Sequence, residues 1–415
     1  MGPNLPGFKR APRPDDPQVR FLVELARALG TYGTAADRIE EAVWVCASEM
    51  GIQTHVFTTP TSVFLSIERE HDNQYETYLS RVNPGEVNLS KLRSVDEIFN
   101  AVTDGRMSAL KGIRKIKEVV RSPDRVPPWL HILSFGGVSV AATVFFGGGW
   151  RELLSAAVSG AVCGSLLLIV GRKREYARLY DFLAGFAAAI IAALVSIGVG
   201  PLNTTVAILG GLIVLIPGLT ITISLTELAT RNVVSGSARF IGAIMILVLL
   251  AFGAVVGGQF ADRVLMAPPP IAPVGFSESV KVLSAFLAAV FFVVIFRARL
   301  TDWWVMLAAV LVSFYGSRFG VAWFGLEFGV CFAAACVGSL GNLFATIADR
   351  PALTVVMPGL LMLVPGSIGF RSVQSLMDEE TITGIDAAFR VLVVGVALVV
   401  GLLLSNVIVR PRKIL

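Results

Sequence analysis

The chain has 415 residues, 54% hydrophobic and only 16% charged, with a net charge of +5 and a mean hydropathy of +0.72. Soluble proteins carry about a quarter charged residues, so a wholly soluble protein is excluded. The small positive balance fits basic loops at one membrane face and gives no reason to expect a nucleic-acid partner. The four cysteines, Cys46, Cys163, Cys331 and Cys336, are scattered without zinc spacing, so no metal, disulfide or cofactor is expected.

Residues 1–17 combine Pro3, Pro6, Pro12, Pro14 and Pro17 with Lys9, Arg10 and Arg13, and read as a disordered basic arm. No apolar core lies in the first 20 residues, so no signal peptide is expected. Residues 18–128 read as a small cytosolic α+β domain. Phe21, Leu22, Leu25, Ala28 and Leu29 recur at helical spacing, and a second helix spans about 34–50, closed by Gly51. Residues 53–58, 61–67 and 74–82 read as strands, the first two rich in β-branched and aromatic residues. From Leu89 to Val120 the helical pattern returns with a basic end, and Pro123, Pro127 and Pro128 terminate the domain.

Apolar runs long enough to span a bilayer fill the rest. They parse into ten spans, at about 129–147, 152–171, 179–198, 203–224, 237–258, 280–297, 302–319, 321–341, 352–371 and 387–409. With the N-terminal domain inside, the inner connections hold twelve Lys/Arg, from Arg172 to Lys413, and the outer ones five: Arg151, Arg263, Arg318, Arg371 and Arg390. Basic residues favour the cytoplasmic side, so both termini are expected there, the tail being residues 410–415.

One pattern occurs twice. Leu212–Leu219 and Leu360–Ser367 are apolar runs broken by Pro217-Gly218 and Pro365-Gly366, 148 residues apart, in spans four and nine. Proline removes a helical hydrogen bond, and in lipid the freed carbonyl is tolerable only in protein or at a cavity. Matched interruptions in two halves of a membrane chain point to a transporter's binding site. Spans one to five (129–258) and six to ten (280–409) are then two five-helix copies joined by an outer linker, 259–279. Five is odd, so the copies are inverted. The fold expected is mainly α: a polytopic helical bundle of two inverted repeats after a small α+β domain.

Hydroxyl and charged residues follow each break. Thr220, Ser224 and Glu227 share one helix face at i, i+4, i+7, and Thr222 and Thr226 a neighbouring one. Glu227 could bind an ammonium group or carry a proton, or pair with Arg231 at i+4 as an interfacial carboxylate. In the second half Ser367, Arg371 and Gln374 share the equivalent face. Arg371 could take a substrate carboxylate, or snorkel to the outer interface. Glu327, between Gly325 and Gly329, reads as an intramembrane carboxylate and a second proton candidate, or as the structural partner of an arginine. Asn203, Thr204 and Thr205 could supply polar groups or cap span four.

Several stretches resemble the threonine/serine exporter family of bacterial inner membranes. They are Val87–Asp96, Phe145–Trp150, Pro217-Gly218-Leu219 with Ser237–Phe240, and Val364-Pro365-Gly366 with Arg371. The resemblance covers nearly all of the chain past residue 18, in a single-chain form that looks like a fusion of two shorter proteins. It implies a secondary transporter in the cell membrane exporting threonine and serine, driven by protons. Substrate, bilayer and protons are then the partners, and homo-oligomerisation is left open. The substrate residues expected are Pro217, Gly218, Thr220, Ser224, Glu227, Pro365, Gly366, Ser367, Arg371 and Gln374. The alternative is an exporter or channel for another small metabolite, with the N-terminal domain as hydrolase or ligand sensor. The family's soluble domain has been regarded as hydrolase-like, but no G-x-S-x-G elbow is present, and His55 reads as an ordinary strand histidine. No enzyme is expected, and the missing phosphate-binding loop argues against a self-contained ATP pump.

Overall fold

The computed structural model describes residues 16–68, 75–123, 126–170, 179–363 and 366–411. Helix α1 (Pro17–Thr31) starts where Asp16 accepts the Gln18 N–H at 2.7 Å and proline occupies the first turn. The arm expected over 1–17 therefore gives way to helix by residue 17, and residues 1–15 lie outside the described part. Helix α2 (Ala36–Glu49) leads into a meander of β1 (Thr54–Thr59), β2 (Ser62–Glu68) and β3 (Tyr75–Arg81), antiparallel throughout, with Phe57 opposite Phe64 and Phe64 opposite Leu79. Alternation on β2 turns Val63, Leu65 and Ile67 onto the helices. With Phe21, Leu25, Leu29, Leu92 and Ile116 they form the core of this unit.

The helix expected over 89–120 is two helices, α3 (Leu89–Thr103) and α4 (Ala109–Arg121). The chain turns at Asp104-Gly105, where Gly105 takes φ +70°, a conformation costly for residues with a Cβ.

The apolar part comprises α5 (Pro128–Phe145), α6 (Trp150–Val170), α7 (Tyr180–Val199), α8 (Thr204–Leu212), α9 (Gly218–Ala229) and α10 (Val233–Phe260). These are followed by α11 (Glu278–Ile295), α12 (Trp303–Phe324), α13 (Leu326–Ala348), α14 (Leu353–Leu363), α15 (Gly366–Met377) and α16 (Thr381–Ile408). Nine helical stretches among the described residues are long and apolar enough to cross a membrane. Helices α8 and α9, of nine and twelve residues, are too short singly to cross a hydrocarbon core of about 30 Å. This is a multi-pass membrane protein. Its helices expose large apolar side chains, such as Ile241, Met245 and Phe252 on α10, and bury small ones. Gly185 on α7 faces the Leu250 carbonyl of α10, and Gly253 on α10 faces the Phe182 carbonyl. Side chains there would drive the two backbones apart, as expected where van der Waals packing holds membrane helices together.

The boundaries also move. Helix α10 continues as a π-helical turn over Ala261–Leu265, so the connection to α11 begins at Met266. Helix α12 runs on to Phe324 and α13 begins at Leu326, five residues later than expected from sequence. The N-terminal unit docks on the second half: the free N–H groups of Leu89 and Ser90 donate to the carbonyls of Phe296 (2.9 Å) and Arg297 (3.2 Å) at the end of α11. Beside them the buried Asp302 accepts from Arg350 at 2.6 Å and Arg93 at 3.5 Å.

Candidate site at the broken helices

Helix α8 ends in a tightened turn, with the N–H groups of Leu215 and Ile216 both on the Leu212 carbonyl (2.8 and 3.1 Å). Pro217 has no N–H to return to Ile213. The Gly218 N–H turns to the Ile216 carbonyl at 2.7 Å, with Pro217 at φ −78°, ψ 44°, an inverse γ-turn. The carbonyls of Ile213 and Val214 thereby lose their helical donors. Helix α9 restarts at Gly218. In the second half the described helix covers Leu353–Leu363 (α14) and Gly366–Met377 (α15); Val364 and Pro365, where the sequence places the second break, lie outside the described residues. The two Pro-Gly sites meet at their glycines. A Cβ on Gly366 would lie 3.1 Å from the Gly218 Cα and 2.6 Å from Ile216 Cγ2. Only glycine allows that approach.

Beside this crossing lies a cavity of about 220 Å³, open toward the end of the bundle that carries the N-terminal unit. Helix α9 supplies Thr222, Thr226 and Thr230, α13 supplies Asn342, and α14 supplies Val356 and Leu360. The threonine hydroxyls form a ladder along one face: Thr222 donates to the Gly218 carbonyl (3.2 Å), Thr226 to that of Thr222 (2.9 Å), and Thr230 to that of Thr226 (3.0 Å). Each hydroxyl has spent its one hydrogen, so what remains is acceptor capacity. Both amide hydrogens of Asn342 are likewise engaged, by Asn406 Oδ1 (3.0 Å) and the Val409 carbonyl (2.9 Å). The wall therefore suits a ligand that brings donors, such as an ammonium or hydroxyl group.

The face expected to carry the site points elsewhere. Ser224 is fully buried, donates to the Ile221 carbonyl at 2.7 Å, and its backbone lies against Gly236 of α10. Thr220 is partly buried and outside the cavity lining. Glu227 is wholly buried. Its carboxylate accepts from Arg239 Nε (3.0 and 3.1 Å), Ser235 Oγ (2.9 Å) and the Ala36 backbone N–H (2.9 Å). The expected partner Arg231 follows the helix at φ +67°, and the ion pair forms with Arg239 instead. The Ala36 contact joins the two parts of the protein: Ala35 at the start of α2 has no side chain to cap the helix, and Glu227 caps it from across the interface.

Pro217, Gly218, Gly366 and Ser367 sit at the two interruptions. Arg371 is exposed, with its guanidinium carbon 5.9 Å from the Phe146 ring centroid, and Gln374 has a buried Oε1 without a partner. Pro365 falls outside the described residues. Glu327 lies at the very start of its span rather than well inside it: it is exposed in the first turn of α13, just after Gly325 at φ +92°. Asn203 caps α8, its Oδ1 accepting from Val206 at 2.9 Å. The sequence reading passed over Glu152, which is buried at the start of α6 and accepts from Gly149 (2.9 Å) and Asn203 (2.6 Å). It also passed over Thr34 and Asp37, which line the cavity from the N-terminal unit. Behind them Glu40 accepts from the Thr58 N–H (2.8 Å) and hydroxyl (2.9 Å), and burial pushes its carboxyl above the usual range.

Residues 20–261 match a family of threonine/serine exporters, and residues 281–408 match a second such family, "Threonine/Serine exporter, ThrE". The chain belongs to the threonine/serine exporter family. Among curated relatives of this family member, "Pheromone-regulated membrane protein 10" of Candida albicans SC5314 is 27% identical over 379 residues, covering 88% of the chain and 34% of the relative. The protein of the same name in Zygosaccharomyces rouxii is 25% identical over 430 residues, covering 94% and 43%. The chain thus spans well under half the length of these relatives. No solved structure matches it.

Proposed function

We propose that this exporter-family member is a secondary transporter that moves small hydroxylated amino acids, threonine and serine, out across a cell membrane by alternating access around its two broken helices. The observation that carries the reading is the close approach of the two Pro-Gly sites, Gly366 against Gly218, beside a cavity to which the threonine ladder contributes one polar wall. Half-helices that begin at a common point offer N–H groups to a carboxylate, and the freed carbonyls of Ile213 and Val214 offer acceptors to an ammonium group.

An inverted repeat is supported by the packing of each half. Helix α8 lies on α6 and α7 as α14 lies on α12 and α13, α7 on α10 as α13 on α16, and α9 on α10 as α15 on α16. With α8 and α9 counted as one interrupted span, the bundle reads as ten spans. The basic flanks favour a cytoplasmic N-terminal unit and bundle ends; with that orientation the cavity lies at the side from which an exporter loads. For proton coupling, the surroundings favour Glu227 over the exposed Glu327. Glu227 is enclosed and faces Arg239, with Glu40 and Asp37 as neighbouring carboxylates on α2. A proton taken there would weaken its hold on both Arg239 and the start of α2.

The test is threonine efflux from dipeptide-loaded cells with and without the protein. Faster efflux that an uncoupler abolishes is the expected result. Efflux that survives the uncoupler and runs only downhill makes the protein a channel, and an unchanged rate removes threonine as the substrate.

A further inference from the structure

The cavity beside the broken helices is closed on its open side by the turn between α1 and α2. That turn contributes two groups with unspent hydrogen-bonding capacity. Thr34 is 0% exposed, and its hydroxyl oxygen has no partner. Asp37 Oδ1 is also buried without a partner. Both residues line the same cavity as the threonine ladder. A buried carboxylate oxygen left unpaired is costly. The hydroxyls that face it across the cavity, on Thr222, Thr226 and Thr230, have spent their hydrogens on neighbouring carbonyls and offer no donor, and Arg38, the charged donor of the lining, pairs with Glu41. A ligand that brings N–H or O–H groups would supply the partner.

We infer that the N-terminal unit completes the substrate site: Asp37 receives the ammonium group of a small amino acid, and Thr34 assists it, facing the hydroxyl acceptors of α9. This rests on the exporter reading of the cavity and adds to it the chemical group that is recognised. The start of α2 is held for the purpose. The Glu227 carboxylate, fixed by Arg239 and Ser235, caps the Ala36 N–H at 2.9 Å and so anchors the turn one residue before Asp37. Arg38 also reaches the cavity, where its guanidinium can receive the substrate's carboxylate; its present partner is Glu41 at 3.3 Å, an exposed pair. A zwitterion then finds both its charges answered by consecutive residues of a unit outside the membrane helices.

The experiment is equilibrium binding to the purified full chain in detergent. Three probes are used: threonine; threonine amide, which keeps the ammonium and lacks the carboxylate; and 3-hydroxybutyrate, which lacks the ammonium. The wild-type chain should bind threonine, threonine amide should compete, and 3-hydroxybutyrate should not. Asp37→Asn should weaken threonine binding by about tenfold or more, the scale of a charge-assisted hydrogen bond. Thr34→Val should weaken it by roughly a few-fold, and Thr34→Ser should restore it. If Asp37→Asn does not fold, the Thr34 pair decides. Wild-type binding of threonine with Asp37→Asn unchanged, or with Thr34→Val unchanged where only that pair can be measured, overturns this inference and leaves the exporter reading standing. Competition by 3-hydroxybutyrate equal to that of threonine amide does the same. A wild-type chain that binds no threonine overturns both.

Discussion

The two Pro-Gly segments share a sequence pattern and little else. In the first, a run of hydroxyl residues follows the break on two faces of α9, and a buried carboxylate ties the far end of that helix to Arg239 and to the N-terminal unit. In the second, α15 carries an exposed arginine resting on Phe146, and α14 contains a further proline, Pro358, with Ser313 donating to the neighbouring Gly359 carbonyl at 2.7 Å. The Pro-Gly pattern is thus repeated in the sequence while the surrounding side chains diverge. The first half provides the wall of acceptors and the tether, and the second provides the opposing surface.

The largest expected effect breaks the tether. Glu227→Ala leaves Arg239 largely buried without its partner, which costs on the order of 3–5 kcal/mol, and should lower the thermal unfolding midpoint of the full chain sharply. Arg371→Ala in the other half removes an exposed contact worth only about 0.5–1 kcal/mol. Equal losses from the two would remove the asymmetry. Next is the crossing itself. Gly366→Val puts a side chain against Ile216 and Gly218, an overpacking that costs about 1–3 kcal/mol, and should stop efflux while expression persists. Retained efflux would mean that the halves can separate without harm. A smaller effect separates the faces of α9: Thr226→Val should raise the KM for threonine efflux roughly three- to tenfold by removing one acceptor, whereas Thr220→Val should leave it within about twofold. The smallest concerns pH. The Glu40 carboxyl is raised by burial above its reference of 4.5. Its folded state therefore holds its proton to higher pH than the unfolded state. The stability it contributes is complete below that reference and is lost as pH rises through the raised value. Glu40→Gln, which keeps an acceptor for Thr58, should flatten the pH dependence of the unfolding midpoint in that window.

Much of this arrangement is visible in the residues alone. Pro217-Gly218 announces the interruption between α8 and α9, because proline's missing N–H acts locally. The three strands and the first two helices follow from alternation and helical spacing. What the sequence hides is set by contacts remote along the chain. Two hydroxyl faces of α9 have equivalent spacing, and only packing on α10 decides that Ser224 is enclosed while Thr222 and Thr226 line the cavity. The i, i+4 rule proposes Arg231 for Glu227, but the helix ends there and Arg239, twelve residues on, returns from α10. The cap that Glu227 provides for Ala36 spans 191 residues. Glu327 is affected by a local shift instead: aromatic residues continue to Phe324, so the turn between the two spans lies at Gly325, about five residues beyond where hydropathy puts it, and Glu327 falls at a span's start.

The head-to-tail junction of α11 and α3 carries a mechanical consequence. The carbonyls just past the end of α11, at Phe296 and Arg297, accept from the first N–H groups of α3, at Leu89 and Ser90. The two helices are spliced by the same kind of bond that holds each together, and Asp302 with its two arginines braces the joint. Helix α3 has 15 residues, or about 22 Å of length. A tilt of about 10° in α11, passed through a stiff joint, would swing the far end of α3 by roughly 4 Å by lever geometry over that length. Such a stroke exceeds the reach of a single hydrogen bond. If the halves rock as the proposed alternating-access cycle requires, this joint is the crank that carries the motion of the second half to the N-terminal unit.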